Sequence, residues 1–330
     1  PMKKRGILCF LFCIIMCSSI DVTLKLASLR MNAIQLCFWR FLCGGLSCLP
    51  IALRTVNEQR KAKRSSVSPM LFSGLLMVVL STVLYQVALS VGKASVVSVL
   101  YSCSPIFVAI ASWAMLGERL RWDTVLSSAL YAAAVAVLIL GGRSGSSLLS
   151  CILILLSAAL LAVYNVLGQR WSDRFPPSVY VSFTFLFGAL ELLLLVWISH
   201  IPSVAELNRQ FGLELFVDIP LLDHIDGEIM PALLYVGIVA TGMNFLAMQV
   251  ATKELGAVTT SLIFYFKLIF APLLALVILK EPLGPPVLAA MALVFAALLV
   301  KNAALQGIRK KADGSLRIKE PCSHENIFGD

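Results

Sequence analysis

Charged residues make up only 14% of this 330-residue sequence, where soluble domains carry about 25%. Histidine is rarer still: His200, His224 and His324 all fall in segments between or beyond the apolar stretches. No H-E-x-x-H, G-x-S-x-G or phosphate-binding loop occurs, so a metalloenzyme, a hydrolase and an ATP-driven pump lack their parts. Period-two alternation, the mark of a membrane barrel, is absent too. Nine cysteines resemble a disulfide count, but eight (Cys9, Cys13, Cys17, Cys37, Cys43, Cys48, Cys103, Cys151) lie in apolar stretches and one, Cys322, in a polar tail. Thiols in such surroundings behave as small polarizable hydrophobes, so no disulfide framework is implied. Cys9, Cys13 and Cys17 share a helix face; small-residue packing explains that spacing better than a soft-metal site, and no metal or other cofactor is expected.

What the sequence has in excess is apolar surface: 59% hydrophobic residues and a mean hydropathy of +0.90. No soluble core hides that much, so the solvent for most of the chain is lipid. A span needs about 20 mostly apolar residues. Ten such stretches are predicted, at 7–27, 34–53, 70–90, 95–116, 124–141, 148–167, 178–199, 231–251, 258–279 and 284–304. All should be helices, because a backbone in lipid must satisfy its own hydrogen bonds. The first resembles a signal peptide at Lys3, Lys4 and Arg5, but no small-x-small cleavage site follows, so it is expected to stay as an uncleaved helix.

Basic residues set the orientation. With the N-terminus in the cytoplasm and ten alternating spans, cytoplasmic segments hold 19 Lys and Arg and external ones five. The net charge of +9 is therefore a positive-inside bias and not a nucleic-acid footprint. Both termini are expected inside, and the loop 200–230, with six acids against Arg209, outside.

Residues 86–120 lie on 249–283 at a constant offset of 163, with ten identities in 35 positions, among them Gln86 on Gln249 and Glu118 on Glu281. Each half then holds five spans, and an odd number turns the second half upside down relative to the first. Inverted repeats mark secondary transporters, with the substrate near the midplane. The expected architecture is an all-α integral membrane protein of ten transmembrane helices in two inverted five-helix repeats, 1–142 and 148–305, followed by a cytoplasmic tail, 306–330.

At these residues the sequence resembles a family. The run Ala94-Ser95-Val96-Val97-Ser98 through Tyr101-Ser102-Cys103-Ser104-Pro105 to Leu116-Gly117-Glu118-Arg119-Leu120 is similar to the fourth span of EamA-type transporters, of the drug/metabolite transporter superfamily. The segment Lys25 to Phe41 resembles the same repeat's first hairpin, and Gly256 to Glu281 the matching span of the second half. Pro105, Glu118 and Glu281 carry this repeat signature. The resemblance covers about 5–305 and implies transport of small organic metabolites such as amino acids, often as efflux, in the bacterial inner membrane. It also implies a bilayer and a small molecule as partners, with a coupling proton or ion, in a monomer or homodimer. Two departures stand out: Lys280 replaces the usual Gly, and the loop 200–230 is long.

Ionisable groups within spans are few, Asp21, Lys25, Arg40, Glu191 and Lys267, and each costs about 2.5–3.5 kcal/mol on insertion scales. Asp21 and Arg40 reach the same depth on either side of the first hairpin, which predicts a pair; with Lys25, four residues from Asp21, they form either a structural ion cluster or an external gate. Lys267 sits near the midplane, beside Tyr265 and Phe266 and before Pro272, which removes a hydrogen-bond donor and predicts a kink. It either lines the cavity and meets an anionic substrate group, or pairs with Glu191. Tyr85, Gln86, Tyr101, Asn165 and Asn244 complete the candidate substrate contacts, with Ser102, Tyr164 and Gln249 also on core spans; such amides are as readily inter-helix glue. Glu118 and Glu281 are read mainly as helix-end packing. A transporter of phosphorylated or nucleotide-linked sugars is the alternative within the class. An intramembrane enzyme of lipid or glycan chemistry and a passive channel are the rivals outside it.

Overall fold

Hydrocarbon offers the peptide group no hydrogen-bond partner, and every long described segment is accordingly helical. The computed structural model describes residues 2–59, 67–117, 122–141, 148–210, 214–223, 225–280, 283–297 and 299–300. Glu118, Glu281 and the tail 306–330 lie outside them, as does the side chain of Tyr265. The helices are α1 (Met2–Ser28), α2 (Ala33–Gln59), α3 (Ser68–Val91), α4 (Ala94–Leu116), α5 (Trp122–Leu140), α6 (Leu148–Arg170), α7 (Pro177–Ser199), the short α8 (Pro202–Gln210), α9 (Met230–Leu255), α10 (Ala257–Thr260), α11 (Ile263–Ile278) and α12 (Pro285–Ala297).

Eight of them, α1 to α7 and α9, are long and apolar enough to cross a membrane. The last two predicted stretches, 258–279 and 284–304, contain shorter helices. The first is interrupted by a turn at Ser261–Leu262 that separates α10 from α11. The predicted kink at Pro272 is not where the helix is interrupted; α11 runs through that proline. Large apolar side chains such as Leu8, Trp122, Leu140 and Trp197 stay exposed on the outside of the bundle, which suits a lipid solvent.

Chain neighbours are not always packing neighbours. Helix α1 packs on α9 and α11 and barely meets α2. Helix α2 packs on α7 and on the middle of α9, while α6 packs on α3 and α4. The closest approaches use glycine: a Cβ on Gly74 of α3 would stand 2.8 Å from the Gly188 nitrogen and 2.9 Å from the Thr184 oxygen of α7.

Irregularities recur along the chain. Helix α3 is π-helical over Leu75–Ser81 and α9 over Tyr235–Met243, and the 163-residue offset carries the first segment onto 238–244. Helix α4 breaks at Ser102–Cys103, just before Pro105, whose ring would clash with the carbonyl four residues earlier in a continuous helix. The segment after α8 folds over the first hairpin: the Trp39 indole donates to the Leu221 carbonyl at 2.7 Å, and the Gln35 amide to the Asp223 carbonyl at 2.7 Å. Arg30 meets Glu228 there at 2.7 Å. Backbone N–H groups of Ile229 and Glu228 bond Asp226 and hold its carboxyl below the usual range.

Gly117 ends α4 in the left-handed region at φ 71°, and Lys280, one repeat offset later, ends α11 there at φ 54°. A side chain at such a φ costs about 1–2 kcal/mol. Lys280→Gly is therefore expected to raise the melting temperature of the purified protein in detergent. Gly117→Ala, where a Cβ would touch nothing within 4 Å, should lower it through backbone conformation alone, by about 1 kcal/mol.

Candidate functional site

The bundle buries a carboxylate and an ammonium together. Asp21 of α1 and Lys267 of α11 are 0% and 2% exposed, and Lys267 Nζ stands 2.8 Å from Asp21 Oδ1. Two hydroxyls complete the carboxylate's shell: Tyr85 of α3 donates to Oδ1 and Ser98 of α4 to Oδ2. The ammonium also faces aromatic rings, 4.9 Å from the Tyr101 centroid and 5.7 Å from that of Tyr85. Tyr85 and Tyr101 pack at 4.9 Å, and Phe264 closes on Tyr101 at 5.7 Å. Four helices thus converge on one neutral pair, and the ammonium gains a cation–π contact that strengthens where water is excluded.

Beside the pair lies a small cavity of about 30 Å³. Cys17, Arg40, Thr82, Asn244 and Lys267 give it polar points, and Met77, Leu161, Phe245, Met248 and Phe264 give it apolar walls. The Arg40 guanidinium, 4% exposed, donates from Nε to Thr241 Oγ1 at 2.6 Å and lies 5.1 Å over the Phe41 ring. Its Nη1 is buried with no protein partner. The Asn244 amide donates to the Cys17 sulfur at 3.2 Å, and the Cys13 thiol donates to the Asn244 carbonyl at 3.3 Å. The cysteine face of α1 therefore packs on α9; no group of three potential metal ligands occurs among the described residues.

The candidates drawn from sequence divide. Lys267, Tyr101, Tyr85 and Asn244 line the cavity together with Arg40. Gln86 and Asn165 are buried but do not line it. Helical geometry accounts for Gln86, which follows Tyr85 and so points about 100° away. Two expected pairings are corrected. Asp21 is joined to Lys267, and Arg40 to Thr241, because α1 and α2 face different neighbours. Lys267 is joined to Asp21 and makes no ion pair with Glu191, which sits on α7. Lys25, one turn beyond Asp21, donates to the carbonyls of Leu89 at 2.7 Å, Ser90 at 3.2 Å and Gly92 at 2.7 Å. It closes the C-terminal end of α3, where carbonyls lack helical partners.

Ser98, Cys17 and Thr241 were missed as site residues. Ser98 and Cys17 had a signal in spacing: Ser98 is three residues before Tyr101, and Cys17 four before Asp21, each on the same helix face. Nothing in the local sequence marks Thr241.

Removing one partner of a buried ion pair strands the other, at a cost of about 3–5 kcal/mol. Asp21→Ala and Lys267→Ala should each lower the detergent melting temperature steeply, and the double change by clearly less than their sum. Additive losses would mean that the two groups do not hold each other.

The sequence profile of the EamA-like transporter family matches this chain at residues 4–140 and 148–302. A protein of Clostridium kluyveri, described as an uncharacterized transporter, is 25% identical over 287 residues, covering 84% of this chain and 86% of its own. A solved crystal structure superposes with a TM-score of 0.62 at 19% identity, over 91% of this chain and 96% of that one, a likeness of fold. With both stretches matched and a helical bundle built for lipid, the chain belongs to the EamA-like transporter family and is a multi-pass membrane transporter.

Proposed function

We propose that the protein is a secondary transporter that moves small organic metabolites by alternating access between two inverted five-helix halves. The observation that carries this reading is the Asp21–Lys267 pair, whose members come from opposite halves of the chain and meet beside a cavity. Support for the two halves comes from the repeated π-helical segments and from the left-handed ends of α4 and α11. In this reading α12 and the α10–α11 pair complete ten spans, and the direction is export, as the family resemblance suggests.

The pair suits a switch. As long as it is closed, the two halves are tied through one neutral unit that needs no counter-ion. A proton arriving on Asp21 removes the carboxylate's charge and releases Lys267, so α1 and α11 can part. Tyr85 and Ser98 bond the carboxylate and hold it ready to re-form the pair. Proton antiport is thereby the proposed coupling. The reading for phosphorylated or nucleotide-linked sugars weakens, because the lysine it relied on is already neutralised.

Purified protein in proteoliposomes should exchange members of a panel of amino acids, related acids, amines and nucleotide sugars, and an imposed pH gradient should drive accumulation. Asp21→Asn should abolish the gradient's effect. Accumulation in Asp21→Asn that still follows the gradient would remove Asp21 from coupling. The orientation follows from the 19-to-5 division of basic residues. In a variant without native thiols, Leu215→Cys should react with an impermeant reagent applied to intact bacterial cells; reaction from the cytoplasmic side alone would invert the topology.

A further inference from the structure

Charge arithmetic at the centre leaves one cation over. Asp21 carries one negative charge and Lys267 one positive, and they neutralise each other at 2.8 Å. Arg40 carries a second positive charge, cannot lose its proton in a protein, and makes no ion pair among the described residues. Of its donors, Nε is used by Thr241 at 2.6 Å, while Nη1 is buried and bonded to no protein atom. A guanidinium without an ion-pair partner in a membrane protein is costly, and its described contacts, the Thr241 hydroxyl and the Phe41 ring, carry no charge. The structure does give it a position on the wall of the cavity.

We infer that Arg40 is the anchor for a substrate carboxylate, so that the transported compound is a small monoanionic carboxylate with an apolar body. This rests on the cavity being the transport site. A single negative charge brings the occupied site to neutrality, which a low-dielectric surrounding favours; a phosphate dianion would overshoot and a neutral or cationic compound would leave the excess. One carboxylate oxygen can accept from Nη1. The other has a donor within the same wall: the Asn244 amide, three residues from Thr241 on α9, is bonded to the Cys17 sulfur, a weak acceptor that a carboxylate oxygen outcompetes. Met77, Leu161, Phe245, Met248 and Phe264 then face the rest of the molecule. Arg40 reads this group without disturbing the Asp21–Lys267 pair, so recognition and coupling fall on separate charges.

The test uses the full chain purified in detergent, with butyrate, 4-methylvalerate, benzoate and phenylacetate as probes, their uncharged amides as matched controls, and inorganic phosphate. At least one carboxylate should raise the melting temperature, and its amide and phosphate should not. Arg40→Gln should weaken that carboxylate's binding by about ten-fold or more, whereas Ser182→Ala, which removes a buried hydrogen bond to the Gly45 carbonyl away from the cavity and keeps the cation, should bind within a few-fold of the parent. Arg40→Lys supplies a charged variant if the glutamine form does not fold. The inference is overturned if no carboxylate stabilises the protein, if amides or phosphate do so equally, or if Arg40→Gln binds as well as the parent. It is also overturned if proteoliposomes exchange amines or neutral compounds and no carboxylate, a result that leaves the transport reading standing. Absence of exchange for every compound, with carboxylate binding intact, would instead remove the transport reading and keep the anion site.

Discussion

An ion inside a bilayer is costly unless another charge matches it, and the match is best made by the protein, because little water is at hand to share the field. The arrangement of this bundle is organised around that requirement at Asp21 and Lys267. Tyr85 and Ser98 turn their hydroxyls toward the same carboxylate, and Tyr101 turns its ring toward the ammonium. The consequence is that α1, α3, α4 and α11 cannot be moved independently at this level: displacing one strips a partner from a buried charge. The same constraint explains why Lys25 donates to the open carbonyls of Leu89, Ser90 and Gly92 at the end of α3.

Around this tie the helices are irregular in a patterned way. The π-helical stretches of α3 and α9, the break in α4 before Pro105 and the turn between α10 and α11 all interrupt regular hydrogen bonding inside the bundle. Such interruptions are tolerated at membrane depth where neighbouring protein or a cavity receives the freed groups. They flank the central pair: Thr82 lines the cavity just after the first π segment, Thr241 lies within the second, and Phe264 and Lys267 follow the turn. In the proposed alternating access, the central pair would tie the two halves and these interruptions would be where the helices bend.

The sequence by itself determined the solvent, the helical class and most of the spans, because apolar composition and the length of apolar runs are local properties that lipid enforces on any chain. It also located the costly residues, since a charge in an apolar run stands out whatever the fold; Asp21, Arg40 and Lys267 were legible for that reason. Partnership was not. Hairpin depth put Asp21 level with Arg40, yet depth is one coordinate and contact requires the helix azimuth as well, which is set by what each helix packs against. Only the tertiary structure turned α1 toward α9 and α11, and α2 toward α7 and α9, joining Asp21 to Lys267 across 246 residues and leaving Arg40 on the cavity wall, bonded to Thr241, with one buried donor unpartnered. The physical reason is that lipid fixes how far along a helix a residue lies but is the same on every side of it, so the facing of each helix is decided by packing among helices distant in the chain.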